Sequence, residues 1–273
     1  MARCWAVACM LVATMALGAC GGGSPAKIEK VEDLKGKVVG SVTPPGTQKQ
    51  LEESVEKIIG GKQKEVQYFN RMSDCIMALQ AGKVDAVLSP RFGADYFVKR
   101  NPALKIVASQ PVKVSVVMAL RSDDTQLQDD LGKAITTLQE NGKLKSLEDE
   151  WVTNLPAANE PANKPAPSIP GAKTVYVGVC GDYAPLDYIA ADGRPAGFNV
   201  ALLNELGQLL QVNFEFVSLE SQARFTALSA RKIDLIFCNL EAKTPALMAL
   251  QSKGWVVTKP YFTSEVGCFL VRK

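Results

Sequence analysis

One ten-residue pattern occurs twice in the chain. Ala78-Leu-Gln-Ala-Gly-Lys-Val-Asp-Ala-Val87 and Ala227-Leu-Ser-Ala-Arg-Lys-Ile-Asp-Leu-Ile236 share five identities and two Val/Ile exchanges in ten positions. Each copy reads as a helix end, a tight turn and a buried strand. Any βαβ unit can produce one such segment by chance. Two copies point to two similar α/β lobes that present strand ends to a shared crevice, where open α/β sheets bind ligands. Between the copies lies residues 155–172, LPAANEPANKPAPSIPGA, with prolines at 156, 161, 165, 167 and 170. A stretch without backbone donors at so many positions forms neither a helix nor a central strand and is expected to be extended and partly PPII-like. At ~3.1 Å per residue it would reach roughly 55 Å. It reads as a linker.

On both sides of this seam, β-rich runs alternate with helical periodicity. Before it, strands are predicted at Lys37–Val42, Val66–Phe69, Asp85–Ser89, Lys105–Ala108 and Val112–Leu120. Helices are predicted where Leu51, Val55, Ile58 and Ile59 recur, with Thr47 as cap, and over Ser73–Gln80, Phe92–Lys99, Leu127–Leu138 and Leu144–Trp151. After it come strands at Val175–Val179, Phe214–Val217 and Ile233–Cys238, with helices through Leu202, Leu206 and Leu209 and over Gln222–Ala230. This order predicts an α/β fold with largely parallel sheets.

Histidine is absent from all 273 residues. That excludes a Ser-His-Asp triad, a Cys-His dyad, His-ligated zinc and a His pH switch. A net charge of +3 gives no reason to expect a nucleic-acid partner. No cofactor and no metal are expected, and a monomer is. The amino terminus has its own logic. Arg3 precedes an apolar run from Trp5 to Leu17, too short for a permanent membrane span, and Leu17-Gly18-Ala19-Cys20 follows. LGAC resembles the bacterial lipobox, which implies a lipoprotein signal peptide over 1–19, acylation at Cys20, and a tether over 20–26. An ordinary signal peptide is the other reading. Cys4 and Cys9 would then be discarded with the signal. Cys75, Cys180, Cys238 and Cys268 would remain in a compartment that permits disulfides, with three pairings possible.

The body resembles the bacterial extracellular solute-binding proteins of family 3, but in permuted order. Segments that begin family members stand after the linker: Val177-Gly-Val-Cys-Gly-Asp-Tyr-Ala-Pro-Leu-Asp-Tyr188, Gly193-Arg-Pro-Ala-Gly-Phe-Asn-Val200, the Lys232-Ile-Asp-Leu-Ile236 strand and Thr258-Lys-Pro-Tyr-Phe262. Segments that normally come second stand first: Leu34-Lys-Gly-Lys-Val-Val-Gly40, Gly46-Thr47, the Gly82–Val87 strand, Arg100-Asn-Pro102 and a last helix ending at Trp151. Joining Val271-Arg-Lys273 to Lys27–Gly36 restores the family order. The resemblance implies a bilobal type II periplasmic-binding fold, two α/β lobes joined by two hinge strands and circularly permuted. Residues 27–112 would be the second lobe, 113–154 a hinge strand and the carboxy-terminal helices of the first lobe, 155–172 the permutation linker, 173–262 the rest of the first lobe, and 263–273 the second hinge strand.

The same resemblance implies an extracytoplasmic receptor that captures a small polar solute, amino-acid-like or an amine, and passes it to an ABC-importer permease. It would be held at the membrane through Cys20 on the periplasmic side of the cell envelope. Family members clamp an amino acid with an aromatic wall, an arginine for the carboxylate and an aspartate for the ammonium. Tyr183 matches the wall, or simply packs. The carboxylate-binding turn falls on Cys238, Asn239 and Glu241, the arginine position on Ala246 or Leu247, and the ammonium position on Pro90. Both halves of the clamp are thus replaced, and Glu241 places negative charge where a carboxylate would sit. Arg224 and Arg91 are candidate replacements, Thr47 a candidate polar contact at a helix start, and Arg71 a surface residue. The other open readings are a dehydratase-like enzyme on the same fold, with Glu241 and Asp182 as acid–base groups, and a sensor or degenerate binding module.

Overall fold

The computed structural model describes residues 27–44, 47–158, 160–161, 168–240, 251–252 and 254–273, with backbone only at 109–112, 239 and 240. In chain order, a 3₁₀ turn at Val31–Leu34 leads to β1 (Val38–Val42), α1 (Gln48–Ile59), β2 (Glu65–Phe69), α2 (Met72–Gln80), β3 (Ala86–Ser89) and α3 (Arg91–Arg100). Next come β4 (Leu104–Arg121), α4 (Thr125–Glu140), α5 (Lys143–Glu148) and a π turn at Asp149–Thr153. Beyond the linker lie β5 (Thr174–Val179), the short strands β6 (Asp182–Tyr183), β7 (Asp187–Ile189) and β8 (Pro195–Ala196), and α6 (Phe198–Leu210). The chain closes with β9 (Asn213–Ser218), α7 (Ser221–Ser229), β10 (Leu235–Leu240), β11 (Trp255–Val257) and β12 (Phe262–Arg272).

The main sheet runs β2-β1-β3-β12-β4-β10-β5-β9, with β11 also on β4. It reads as two halves of like order, β2-β1-β3-β12-β4 and β9-β5-β10-β4-β11. In each, three parallel strands meet one long antiparallel strand. β4 and β12 exchange roles between the halves and pair with each other from Phe262↔Val116 to Arg272↔Leu104. Separate apolar cores cover the two faces of each half, as parallel strands buried on both sides require. The α/β class, the two lobes and the pair of shared strands are therefore as expected.

Two local expectations are corrected. Lys105–Ala108 and Val112–Leu120 are not separate strands but one continuous β4. Pro111 cannot donate to a ladder, yet the strand is not ended by it. Residues 109–111 stand opposite Gly267 alone, and the irregularity is absorbed as a bulge where Gly267 takes φ 91°. The helix expected over Leu144–Trp151 is α-helical only to Glu148, after which the turn widens to seat Trp151 in the first-lobe core.

The repeated decapeptide has a structural counterpart in each lobe. The Asp85 carboxylate accepts from Val38 N–H at 2.9 Å, and Asp234 accepts from Tyr176 N–H at the same distance. An arginine at the end of each shared strand then brackets the repeat. Arg121 donates to Leu228 O, Ile233 O and Asp234, and Arg272 donates to Leu79 O and Val84 O with Asp85 at 4.0 Å. Arg121 is the more deeply held, at 10% side-chain exposure against 34% for Arg272. We expect Asp234→Ala to lower unfolding free energy by about 2 kcal/mol, because the buried Arg121 guanidinium loses one of its two carboxylate partners and keeps only Asp124. Asp85→Ala should lose roughly half as much, given the looser pair. Denaturant titrations of the two variants compare them directly.

Candidate functional site

The strands β5, β9 and β10 of the first lobe end at a common edge, marked by Cys180, Ser218 and Cys238. α7 starts beyond β9 and carries Arg224 back toward that edge. Gly178 on β5 makes room: a Cβ there would fall 2.5 Å from Ile233 Cδ1 and 3.5 Å from Arg224 Cγ. Arg224 is only 9% exposed. Its Nη1 reaches Phe237 O at 3.5 Å, and its Nε is buried without any partner. A guanidinium held this way carries unused donors at a strand edge.

Around it stands a chain of buried polar groups. Tyr261 OH donates to Asn199 Oδ1 at 2.8 Å, and Asn199 Nδ2 donates to Asp187 Oδ2 at 3.0 Å. The Cys180 thiol lies 3.8 Å from Asp187 Oδ1. Gly197 sets this up: at φ 109° it begins α6, and a Cβ would meet Leu186 O at 2.5 Å, so only glycine lets Asn199 come down beside β7. Burial raises the Asp187 carboxyl to about 6, while the nearby Arg224 charge and the Asn199 bond pull it back. Burial also lifts Cys180 to about 11, with Asp187 adding to it, and Cys238 to about 11 against the pull of Arg224. Both thiols therefore stay neutral at ordinary pH, and neither is primed as a nucleophile. Tyr261 is pushed well above its usual range by burial.

Across the crevice the second lobe comes into contact. Ser73, in the first turn of α2, donates its amide at 3.0 Å and its hydroxyl at 3.2 Å to Asp182 Oδ2. Phe92 of α3 meets the Tyr183 ring edge-on at 5.3 Å, and Gln222 Nε2 donates to Pro44 O. The lobes are closed upon one another.

The expected site residues are not all brought together. Arg224, Cys238 and Tyr183 lie on the first-lobe side of the crevice, Tyr183 half-buried against Phe92. Asn239 is placed only through its backbone, opposite Val116 on β4. Arg91 is turned along its own helix to Asp95, at 2.9–3.0 Å, and is half-exposed. Thr47 is exposed and closes a capping box with Gln50, accepting from its amide at 3.2 Å. Arg71 is exposed before α2. Asp182, weighed above as an acid–base group, is held by Ser73. Glu241, Gly46, Ala246, Leu247 and Cys20 lie outside the described residues. Cys75, Cys180, Cys238 and Cys268 are all free thiols here. Among the described residues no cluster of His, Cys, Asp or Glu could hold a metal, and no helix is long and apolar enough to cross a membrane. Sequence reasoning passed over Asp187 and Asn199. The available signal was a lone polar residue inside each apolar run, Leu186-Asp187-Tyr188 and Phe198-Asn199-Val200.

Residues 175–269, which contain this whole buried cluster, match the family of bacterial extracellular solute-binding proteins, family 3. Residues 23–119 match the NMT1/THI5-like family. Among curated proteins, the chain is similar to the arginine-binding extracellular protein ArtP of Bacillus subtilis strain 168, 28% identical over 129 residues covering 46% of this chain and 49% of that protein. It is similar also to the L-cystine-binding protein TcyJ of Escherichia coli K12, 26% identical over 130 residues and 47% of each. The chain spans about half the length of the curated relatives it matches. Solved structures that superpose on it include the GluR0 ligand-binding core with L-glutamate, with TM-score 0.45, 13% identity, and 87% and 84% of the two chains covered. An ancestral arginine-binding protein bound to arginine gives TM-score 0.42 and 16% identity, with 88% and 86% covered.

The Asp187 environment has a direct pH consequence. Its folded pKa of about 6 lies above the ordinary carboxylate value of about 4, so its contribution to stability is complete below about pH 4 and is lost as pH rises through about 6. The swing amounts to about 3 kcal/mol. Asp187→Asn should flatten this part of the profile, which thermal melts of both proteins between about pH 3.5 and 7 will read.

Proposed function

We propose that this protein is a membrane-anchored extracytoplasmic solute-binding lipoprotein, which captures a small polar solute between its two lobes and delivers it to an ABC-importer permease. The observation that carries the reading is Arg224: a buried cation with an unpartnered Nε, near the end of β10 where its Nη1 reaches Phe237 O. Leaving such a donor unsatisfied costs about 1–3 kcal/mol or more, and an anionic group of a solute would recover it. The names of the curated relatives, arginine-binding and L-cystine-binding, support the solute class. Tyr183 and Phe92 supply an aromatic wall shared by the two lobes, and Cys238 and Asn239 edge the site from β10. Glu241, Thr47 and Arg91 stay part of the proposal as further contacts to the solute.

The same reading takes the chain as circularly permuted, with 27–112 and 173–262 as the bodies of the two lobes and 155–172 as the permutation linker. What supports it is the meeting of the two ends of the described fold. Ile28 and Val271 share one apolar core, and Lys105 both pairs with Glu29 and stands opposite Val271. At the other junction, α4 and α5 pack with α6 in the first lobe, so the linker leaves and re-enters the same lobe.

Arg224→Met separates binding from folding. Replacing a buried charge by an apolar side chain is expected to leave the ligand-free melting temperature unchanged or raised. Ligand-dependent stabilisation across panels of amino acids, amines and organic acids should fall by at least about tenfold in apparent affinity, as losing one charged hydrogen bond implies. A wild-type protein that shifts with none of these panels ends the receptor reading. Cys20→Ser should move the protein from the membrane to the soluble fraction, read by fractionation and by incorporation of labelled fatty acid.

A further inference from the structure

The linker does more than rejoin two elements of one lobe. Glu160 lies within it, and its carboxylate collects donors from both lobes. Tyr96 OH, on α3 of the second lobe, donates to Oε1 at 3.0 Å, and Arg100 Nη2 donates to the same oxygen at 2.6 Å. Tyr188 OH, on β7 of the first lobe, donates to Oε2. The α3 side of this contact is rigid. The Arg100 guanidinium lies 3.7 Å above the Tyr96 ring and also donates to Pro156 O at 2.7 Å, so two points of the linker are fixed to one helix. Lys99 adds a bond to Thr153 O at 3.3 Å. The Tyr96 and Tyr188 rings stand 6.2 Å apart, with Glu160 bridging their hydroxyls.

A hinge motion that parts the lobes moves α3 away from β7. The Glu160 carboxylate cannot follow both. Either the Tyr188 bond or the pair to Tyr96 and Arg100 must break, leaving a partly buried charge or hydroxyls without partners. We propose that Glu160 is a latch, through which the linker holds the two lobes closed. This inference is independent of which solute the crevice takes.

Ser73 provides the readout. Its amide stands in the first turn of α2, where no intrahelical acceptor exists, so its protection from solvent depends on Asp182 across the crevice. α2 makes none of the latch contacts. Hydrogen exchange by mass spectrometry on the full-length protein is therefore run for wild type, Glu160→Ala, Tyr188→Phe and the double variant, without added solute. The latch predicts that peptides containing Ser73 exchange several-fold faster in each single variant, while the core strands β1 and β5 keep their protection. It predicts further that the double variant exchanges no faster than the faster single one, because both changes break the same bridge. Unchanged Ser73 exchange in either folded variant overturns the proposal, and so does an additive effect in the double variant. If Glu160→Ala also loosens β1 and β5, Tyr188→Phe decides, since it removes one hydroxyl and leaves the linker in place.

Discussion

Antiparallel pairing between β4 and β12 is the constraint on which the remaining architecture depends. Neither lobe has a complete sheet without both strands. β12 closes the second-lobe sheet against β3, β4 closes the first-lobe sheet against β10, and the two strands pair with each other between Leu104 and Val116 of β4. A sheet twists but does not fold sharply, so bending between the lobes has to be concentrated where this ladder is weakest. The bulge of residues 109–111 against Gly267 is such a place, with three residues facing one and a proline among them. The same pairing carries an arginine to the far end of each strand, where Arg121 and Arg272 grip equivalent turns.

The chemistry of the first-lobe edge follows from burial more than from net charge. With charge nearly balanced over the chain, what matters is which ionisable groups lose water. Arg224 loses it without gaining a close carboxylate among the described residues. Asp187 loses it too: burial raises its carboxyl to about 6, while Asn199, itself held by Tyr261, donates to the carboxylate and pulls the other way. On acidification toward pH 6 Asp187 gives up its charge sooner than an exposed carboxylate would, and the Arg224 charge is then less compensated.

Much of the fold was legible in the sequence because it rests on local signals. The Thr47-Gln50 box, the spacing of Leu131, Ile135 and Leu138 on α4, and the two Lys-hydrophobe-Asp turns each specify their element with residues close in the chain. The lobes could be inferred from the repeat, and the repeat proved to be bracketed in the same way twice. What was not legible depends on contacts distant in sequence. Arg91 is an exception, because its partner Asp95 is a helical neighbour one turn away. Ser73 with Asp182, and Glu160 with Tyr96 and Tyr188, join residues that no periodicity connects. The linker reads from its composition as an extended spacer, because that composition predicts no regular structure. One acidic side chain with three donors gives it a structural role that composition does not encode.

The place where the described fold starts and stops also has a mechanical meaning. Ile28, Val31 and Val271 are packed into a single core of the second lobe, beside Lys105. A pull exerted at Lys27 is therefore taken up first within that one lobe, at the core where Ile28 and Val31 meet Val107, Phe269 and Val271. The first lobe, with Arg224 and Asp187, connects to that core through β4 and β12. Its swing is resisted by the contacts along its closing edge, Ser73 with Asp182 and Tyr188 with Glu160, as well as by the β4–β12 ladder.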